Sequence, residues 1–383
     1  MINTGTLTVG DLTGRRAELD WLRIASVSLV FLHHVCMPFN GDQFHIMNKE
    51  SSKALDDIMV YFEQWRLPML LLISGAGTVM AFKKHSPFGF VKERSRRLFI
   101  PLIVGILLVV PPQTYFEFKD QFTSYLDFYA QLPDNLESNH LWFIQYLFFF
   151  SLMVIPLVLY FRQERSSDIR KRIGDFLARP WAMLLICVPV MALRIISMVY
   201  FPDGDDAWIN FPKASYYFYF FVTGIVLFSC SPAWDSMSRH RNHYLIAALI
   251  SLVLFYAYYY LPQEWIPESV SLGSRWSIWF VVCALVGWST MLTIMGYAQV
   301  YLNQPKPILQ KLNEAVYPFY ILHQTVIVVL AYYVIQWEAG IGLKLIVLLV
   351  VSWIVIIAVY RFVIYPFNAI RILFGMKRQE STR

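Results

Sequence analysis

Ionisable residues stand inside the first apolar stretch of the chain, LDWLRIASVSLVFLHHV at residues 19–35. Asp20 and Arg23 are three residues apart, so a helix places them on one face, where they can form an ion pair. Arg23 and His34 are eleven residues apart, which is close to three helical turns and places His34 on the same face, about 16 Å farther along the helix. An ionisable side chain in hydrocarbon costs about 2.5–3.5 kcal/mol even on lenient insertion scales.

Two interpretations fit this pattern. One is a helix-end ion pair together with a buried structural histidine, and the other is a catalytic imidazole that shares a face with a cation. The gradient along one face, from Asp20 and Arg23 to His34, favours the catalytic interpretation. An imidazole is suited to general base catalysis because its ordinary pKa lies near neutrality.

The composition of the chain predicts that most of it lies in a membrane. Of 383 residues 57% are hydrophobic and only 15% are charged, whereas a soluble domain has about 25% charged residues. Apolar runs of about 20 residues recur along the chain, as in a polytopic helical membrane protein. We expect an all-α fold of ten spans, at roughly 21–39, 58–82, 98–116, 141–161, 181–201, 214–230, 244–261, 276–297, 315–336 and 343–367. We further expect a single domain over residues 1–383, with short tails at about 1–18 and 370–383.

The distribution of Lys and Arg predicts the orientation. Alternate connections and both tails hold 22 of these residues, while the intervening connections hold 5. The rule that basic residues concentrate on the cytoplasmic side therefore places both termini in the cytoplasm. The same rule accounts for the net charge of +6, so nucleic acid is not predicted as a partner. The four cysteines form no CxxC pair, and neither a disulfide framework nor a metal site is predicted.

Several motifs resemble those of one protein family, membrane acyltransferase family 3. Arg23, ten intervening residues and His34 are similar to its arginine–X10–histidine motif. Further matching stretches are RLPMLLLISGAGT (66–78), RSRRLFIP (94–101), HLWFIQYL (140–147) and YPFYILH (317–323). The chain looks most like the branch that contains the succinyltransferase of osmoregulated periplasmic glucans. That similarity lies in PLIVGILLVVPPQTYFE (101–117) and in HLWF without a following glutamate.

The resemblance implies roles for individual residues. His34 would be catalytic, Arg23 would hold a donor phosphate or orient the thioester, and Asp20 would fix Arg23. Without the resemblance, the arginines that precede the third span would be read as a cytoplasmic anchor. With it, they would hold the phosphates of acyl-CoA, because arginine suits bidentate phosphate contact. These donor-binding candidates are Arg94, Arg96 and Arg97, together with His323, which either helps to bind the donor or orients a helix.

Acceptor-binding candidates are charged and aromatic residues of the predicted outer halves of the spans. Glu63 and Arg66 either neutralise one another or line a pocket for the acceptor. His140 and Trp142, at the outer end of the fourth span, and Arg194 in the fifth, either contact a sugar or belong to the interfacial belt.

We expect from the resemblance a multi-pass O-acyltransferase of the bacterial inner membrane. It would pass a succinyl or acetyl group from cytoplasmic acyl-CoA to a hydroxyl of an extracytoplasmic carbohydrate. The expected acceptor is a periplasmic glucan. Acyl-CoA would be a substrate, and no permanently bound cofactor or metal is expected. Direct transfer and a transient acyl-histidine both remain open, and so do a homo-oligomer and a periplasmic biosynthetic partner. The rival functions are a transporter of a small polar substrate and a non-catalytic scaffold, although no internal repeat typical of transporters is evident.

Overall fold

The computed structural model describes residues 16–201 and 210–379, and within these ranges it contains helices and no strand. The helices of the first half are α1 (Ala17–Asn40), α2 (Lys53–Glu63), α3 (Arg66–Phe82), α4 (Pro87–Arg94), α5 (Ile100–Val104), α6 (Pro111–Glu117), α7 (Tyr125–Ala130), α8 (Trp142–Met153), α9 (Ile155–Arg162), α10 (Ser167–Leu177), α11 (Pro180–Leu184) and α12 (Cys187–Tyr200). Those of the second half are α13 (Phe211–Ser229), α14 (Ser231–Arg239), α15 (Arg241–Tyr259), α16 (Leu272–Tyr301), α17 (Pro307–Val334), α18 (Ile341–Val359) and α19 (Asn368–Leu373).

Eight helical stretches of the described residues are long and apolar enough to cross a membrane, and two bent pairs raise the number to ten. The eight are Ala17–Asn40, Lys53–Phe82, Pro87–Glu117, Pro180–Tyr200, Arg241–Tyr259, Leu272–Tyr301, Pro307–Val334 and Ile341–Ile364. The protein is therefore an all-helical polytopic membrane protein, and each of the ten predicted spans overlaps one of these stretches or pairs. The side of the membrane on which the termini lie stays a prediction.

The fourth and sixth spans are bent, and a proline explains each bend. α8 and α9 meet at 46°, and α13 and α14 meet at 95°. Pro156 and Pro232 occupy the first turn of the second helix in each pair. Proline has no N–H to continue the hydrogen bonds of the preceding helix, and its ring clashes with the carbonyl one turn earlier. The fourth span expected at 141–161 is thus two helices, and the expected sixth span at 214–230 corresponds to α13 alone.

The third span contains two π-helical turns, at Ser95–Phe99 and Gly105–Val109. Pro101 has no N–H with which to bond the carbonyl of Arg97, and the N–H of Ile100 bonds the carbonyl of Ser95, five residues earlier. The wider turn lets the helix continue past the proline.

The described chain groups by contacts into two units. The first consists of residues 16–25, 165–219 without 202–209, and 226–313. Within it α15 and α12 pack against α16, and α10 packs against α14. The indole nitrogen of Trp288 donates a hydrogen bond of 2.8 Å to the carbonyl of Met183. The prediction of a single domain is not tested by this grouping.

The second unit consists of residues 26–164, 220–225 and 314–379. Its centre includes α3, whose residues from Met69 to Ile73 are all buried. Two glycines allow α3 to touch the backbone of another helix segment in this unit. A Cβ on Gly224 would lie 2.8 Å from the carbonyl carbon of Leu72, and a Cβ on Gly75 would lie 3.1 Å from the amide nitrogen of Ile225. Close approach through small residues is the usual way in which helices pack in a membrane.

Candidate active site

His34 lies against a second buried histidine, His323 of α17. The ring centroids are 4.9 Å apart, and Nε2 of His323 is 3.2 Å from Nδ1 of His34. The same Nδ1 is 2.8 Å from the carbonyl oxygen of Val30, one turn earlier on α1. His323 is buried and His34 is partly exposed. The structure therefore brings together two histidines that are 289 residues apart in the sequence.

The partners of these rings determine which nitrogens carry protons. Nδ1 of His323 bonds the carbonyl of Tyr320, and since a carbonyl oxygen only accepts, Nδ1 is the donor and Nε2 is left as an acceptor. His34 must then carry its proton on Nδ1, where it is shared between the carbonyl of Val30 and Nε2 of His323. Nε2 of His34 consequently has a lone pair. No hydrogen bond occupies it among the described residues.

A third histidine, His140, holds the segment of α17 that carries His323. Nε2 of His140 is 3.0 Å from the carbonyl of Ile321, and the hydroxyl of Tyr320 donates to the carbonyl of His140. The rings of His140 and His323 stand edge to face at 5.1 Å. The sequence placed His140 at the outer mouth of the fourth span as an acceptor contact. In the structure it is only 5% exposed, in the 3-10 turn that precedes α8.

Two buried glutamines connect His140 to His45 and Glu117. Nε2 of Gln113 donates to Nδ1 of His140 at 3.3 Å and to the hydroxyl of Thr325 at 2.6 Å. Nε2 of Gln324 donates to Oε1 of Gln113 and to Nε2 of His45, each at 3.0 Å. Nδ1 of His45 then donates to the carboxylate of Glu117. Each donor in this series of hydrogen bonds meets an acceptor. The bonds run from Gln324 through Gln113 to His140 and from Gln324 through His45 to Glu117. We name these five residues (His45, Gln113, Glu117, His140 and Gln324) the glutamine network.

His33 points to a different partner from that of His34. Its Nε2 is 3.6 Å from a carboxylate oxygen of Glu63, and its Nδ1 is buried with no hydrogen bond among the described residues. Glu63 ends α2 and Arg66 begins α3, and a two-residue turn joins them within the single stretch Lys53–Phe82, which agrees with the predicted span. Arg66 is only 7% exposed. Glu63 therefore lies close to His33 of α1, in addition to any attraction to Arg66.

Two of the arginines before the third span, Arg94 and Arg97, share one carboxylate. Glu93 lies 3.1 Å from Nε of Arg97 and 3.8 Å from Nε of Arg94. Arg96 is exposed and makes no ion pair or hydrogen bond with the described residues. Arg94 also stacks on the ring of Phe90, 4.8 Å from its centroid. The cluster is cationic overall, with Arg96 as its most accessible member.

Tyr317 connects this cluster to the histidines, since it lies on α17 two turns before His323, a rise of about 9 Å. It is within electrostatic range of Arg94 and Arg97, and its hydroxyl is buried without a hydrogen bond in the described chain. Gly375, with a φ of +72°, packs here: a Cβ on it would lie 2.6 Å from the Tyr317 ring and 2.8 Å from the carbonyl oxygen of Arg97. Both the left-handed backbone and the close contact require glycine.

The remaining candidates lie elsewhere. Asp20 and Arg23 form the predicted ion pair at 3.1 Å, and both belong to the first unit. Trp142 is half-buried beside Tyr146, with ring centroids 5.3 Å apart. Arg194 belongs to the first unit and stacks on aromatic rings.

Sequence reasoning missed five polar residues of these two clusters: His45, Glu93, Gln113, Glu117 and Gln324. A signal was available for two of them. Gln113 and Gln324 each stand in an apolar run, within PPQTYFE and directly after YPFYILH, and a polar side chain there must find an internal partner. His45 and Glu117 carry no such signal because they flank the predicted spans.

Comparisons with known proteins identify the family of this chain. A family model described as an acyltransferase domain, that of acyltransferase family 3, matches residues 16–364. Glucans biosynthesis protein C of Escherichia coli strain K12 is 25% identical over 228 residues, which cover 56% of this chain and 58% of that protein. The same protein from strains SMS-3-5 and O1:K1 matches equally well. The match thus spans somewhat more than half the length of these relatives. No solved structure matches.

The glutamine network generates a stability prediction. Gln113→Leu removes the partner of His140, Thr325 and Gln324 at a position that is fully buried. Buried polar groups left without partners destabilise a fold by about 1–3 kcal/mol, so we expect a lower midpoint of thermal unfolding in detergent. Gln336→Leu is the matched control, because Gln336 is exposed and bonds only the carbonyl of Tyr332. Equal midpoints for the two variants would show that the network does not stabilise the fold.

Proposed function

We propose, on the premise that this chain belongs to acyltransferase family 3, that it transfers an acyl group from acyl-CoA to a hydroxyl of an extracytoplasmic carbohydrate. The observation that carries the proposal is the lone pair on Nε2 of His34. A nitrogen with no competing hydrogen bond, on a partly exposed imidazole, is placed to accept the proton of a hydroxyl.

In the proposed reaction Nε2 of His34 accepts the hydroxyl proton while the hydroxyl oxygen attacks the carbonyl carbon of the thioester. The carbon–sulfur bond then breaks, and the ester leaves with the acyl group. The imidazolium of His34 returns the proton to the sulfur, which departs as the free thiol of CoA. A thioester is a more reactive acyl donor than the ester formed, so the step needs no other energy source.

His323 is the proposed positioning residue for this base. Its Nε2 accepts the Nδ1 proton of His34 and would stabilise the positive charge that develops on His34 during proton transfer. His323 itself is held through Tyr320 and His140. The same geometry is compatible with attack of Nε2 on the thioester to form an acyl-histidine, which would pass the acyl group on without both substrates present together.

The proposed donor site is the cationic cluster of Arg94, Arg96 and Arg97 beside Tyr317. Coenzyme A carries a pyrophosphate and a 3′-phosphate, which arginine binds in a bidentate manner. The buried hydroxyl of Tyr317, which has no hydrogen bond among the described residues, adds a donor or acceptor at this end. The pantetheine arm would then follow α17 toward His323 and His34. The role of Arg23 and Asp20 in orienting the donor stays a prediction from the resemblance, and their ion pair of 3.1 Å is compatible with it.

The proposed acceptor site involves Glu63 and Arg66, at the junction of α2 and α3, with Trp142 at the start of α8, whereas the buried His140 positions α17. The pair of Glu63 and His33 supports a polar entrance next to His34. The relatives named glucans biosynthesis protein C support a glucan as the acceptor. Succinyl-CoA and acetyl-CoA are both proposed donors. The distribution of Lys and Arg supports cytoplasmic termini and an inner-membrane location.

Replacement of the proposed base gives the first test. We expect His34→Ala to lower the rate of thiol release from succinyl-CoA or acetyl-CoA by about 10²–10⁴-fold, the usual contribution of a general base. The assay uses detergent-purified protein with and without a periplasmic glucan fraction. His85→Ala is the control, because His85 is an exposed histidine of the same unit. Full activity of His34→Ala contradicts the proposal, and substrate flux in liposomes without acyl-CoA would favour a transporter instead.

Replacement of Arg96 tests the donor site separately. Loss of one charge-assisted contact with phosphate raises the KM for acyl-CoA by about tenfold and leaves kcat nearly unchanged. Lys84→Gln is the matched control, since Lys84 is an exposed cation in the connection before α4. A KM that is equal in Arg96→Gln and the control would remove Arg96 from the donor site.

A further inference from the structure

A cavity of about 330 Å³ lies within the first unit, on α12, α13 and α16. Its lining includes Arg194, Lys213, Tyr216, Tyr217 and Phe280. The described lining residues thus include two cations and several aromatic rings, and no carboxylate. The histidine site described above does not include any of them.

Arg194 is held in the wall of this cavity by aromatic rings. Its guanidinium carbon is 4.7 Å from the centroid of Phe280 and 5.3 Å from that of Tyr216. Arg194 makes no hydrogen bond or ion pair with any described residue. Stacking occupies the faces of a guanidinium and leaves the N–H groups at its edge free to donate, in the geometry that matches phosphate.

The position of Arg194 in a membrane span favours an anionic ligand. Arg194 lies six residues before the end of α12, about 9 Å along the helix from Tyr200. A cation at this depth in a membrane span is costly unless an opposite charge meets it. Lys213, in the first turn of α13, is an exposed cation at the same cavity.

The surface around the cavity is apolar and outward-facing. Only 22% of the apolar window of Pro180–Tyr200 is buried inside the protein. Val188 and Ile196 of α12 are 48% and 51% exposed, and Val188 lies farther from the end of the helix than Arg194 does. A molecule bound here therefore meets the cations near the end of α12 and bare apolar side chains deeper in the span.

We propose that this cavity binds the phosphate headgroup of an anionic phospholipid, with the acyl chains lying along α12. The positive charges of Arg194 and Lys213 complement the phosphate, and the exposed apolar residues of α12 would contact the acyl chains. The sequence predicted Arg194 as a contact for the carbohydrate acceptor. Its surroundings support a lipid instead, and this inference does not rest on the proposed acyl transfer.

The test is a measurement of lipid binding by native mass spectrometry on the full chain purified in detergent. Phosphatidylglycerol, phosphatidylcholine and glycerol 3-phosphate are titrated separately. We expect the wild type to bind phosphatidylglycerol more tightly than phosphatidylcholine. Arg194→Gln and Lys213→Gln should each weaken phosphatidylglycerol binding by about fivefold, the usual effect of one cation near an anionic headgroup. Arg194→Lys should retain part of the preference.

Arg275→Gln is the matched control, because Arg275 is a cation of the same unit that bonds Gln263 and does not line the cavity. It should bind phosphatidylglycerol like the wild type. No preference for phosphatidylglycerol in the wild type, or an unchanged preference in both Arg194→Gln and Lys213→Gln, overturns the proposal. If glycerol 3-phosphate displaces phosphatidylglycerol at equal concentration, the site binds a soluble phosphate and the lipid assignment is wrong. Since Lys213 is exposed, Lys213→Gln provides the test even if Arg194→Gln does not fold.

Discussion

The contact between Nδ1 of His34 and Nε2 of His323 is the interaction on which the candidate site depends. Together with two carbonyls it determines the proton positions of both rings. The carbonyl of Tyr320 accepts from Nδ1 of His323, and the proton on Nδ1 of His34 is shared between Nε2 of His323 and the carbonyl of Val30. A hydrocarbon environment gives such a contact its importance, since no water is present to replace a missing partner. The free lone pair on Nε2 of His34 is a consequence of this arrangement.

The glutamine network shows how the rest of the second unit supports that contact. Gln113 and Gln324 lie on different helices and bond each other at 3.0 Å, and Thr325 donates to the carbonyl of Val109. That carbonyl belongs to the π-helical stretch before α6. The irregular backbone of the third span therefore has a structural use, because it presents a carbonyl to α17. The same network joins His140 to α17 and so fixes the part of the helix that carries His323.

Much of the fold was predictable because hydrophobic runs and the missing N–H of proline act locally. Ten apolar runs predicted the spans, and the ion pair between Asp20 and Arg23 followed from helical spacing. The bends at Pro156 and Pro232 were equally local but were not predicted. The site was harder to predict, because its hydrogen-bonded residue pairs join distant parts of the chain. Gln113 and Gln324 are 211 residues apart, and no periodic pattern in one sequence links them.

Other differences between prediction and structure also arise from contacts between distant parts of the chain. An exposed role was predicted for His140 from its place at the end of a span, whereas its burial depends on α17. Glu63 and Arg66 have helical spacing in the sequence, but the contact of the Glu63 carboxylate with Nε2 of His33, at 3.6 Å, joins two different helices. The partners of charged residues in membrane spans could be identified only from the three-dimensional structure.

The central claim, that His323 presents His34 as a base, is tested most directly by single-turnover thiol release from acyl-CoA in His323→Leu and His323→Gln. Leucine removes the acceptor for the Nδ1 proton of His34, while the side-chain oxygen of glutamine replaces it. The account predicts a fall of about 10²-fold or more for His323→Leu and a partial recovery for His323→Gln. Wild-type rates in a folded His323→Leu variant would contradict it.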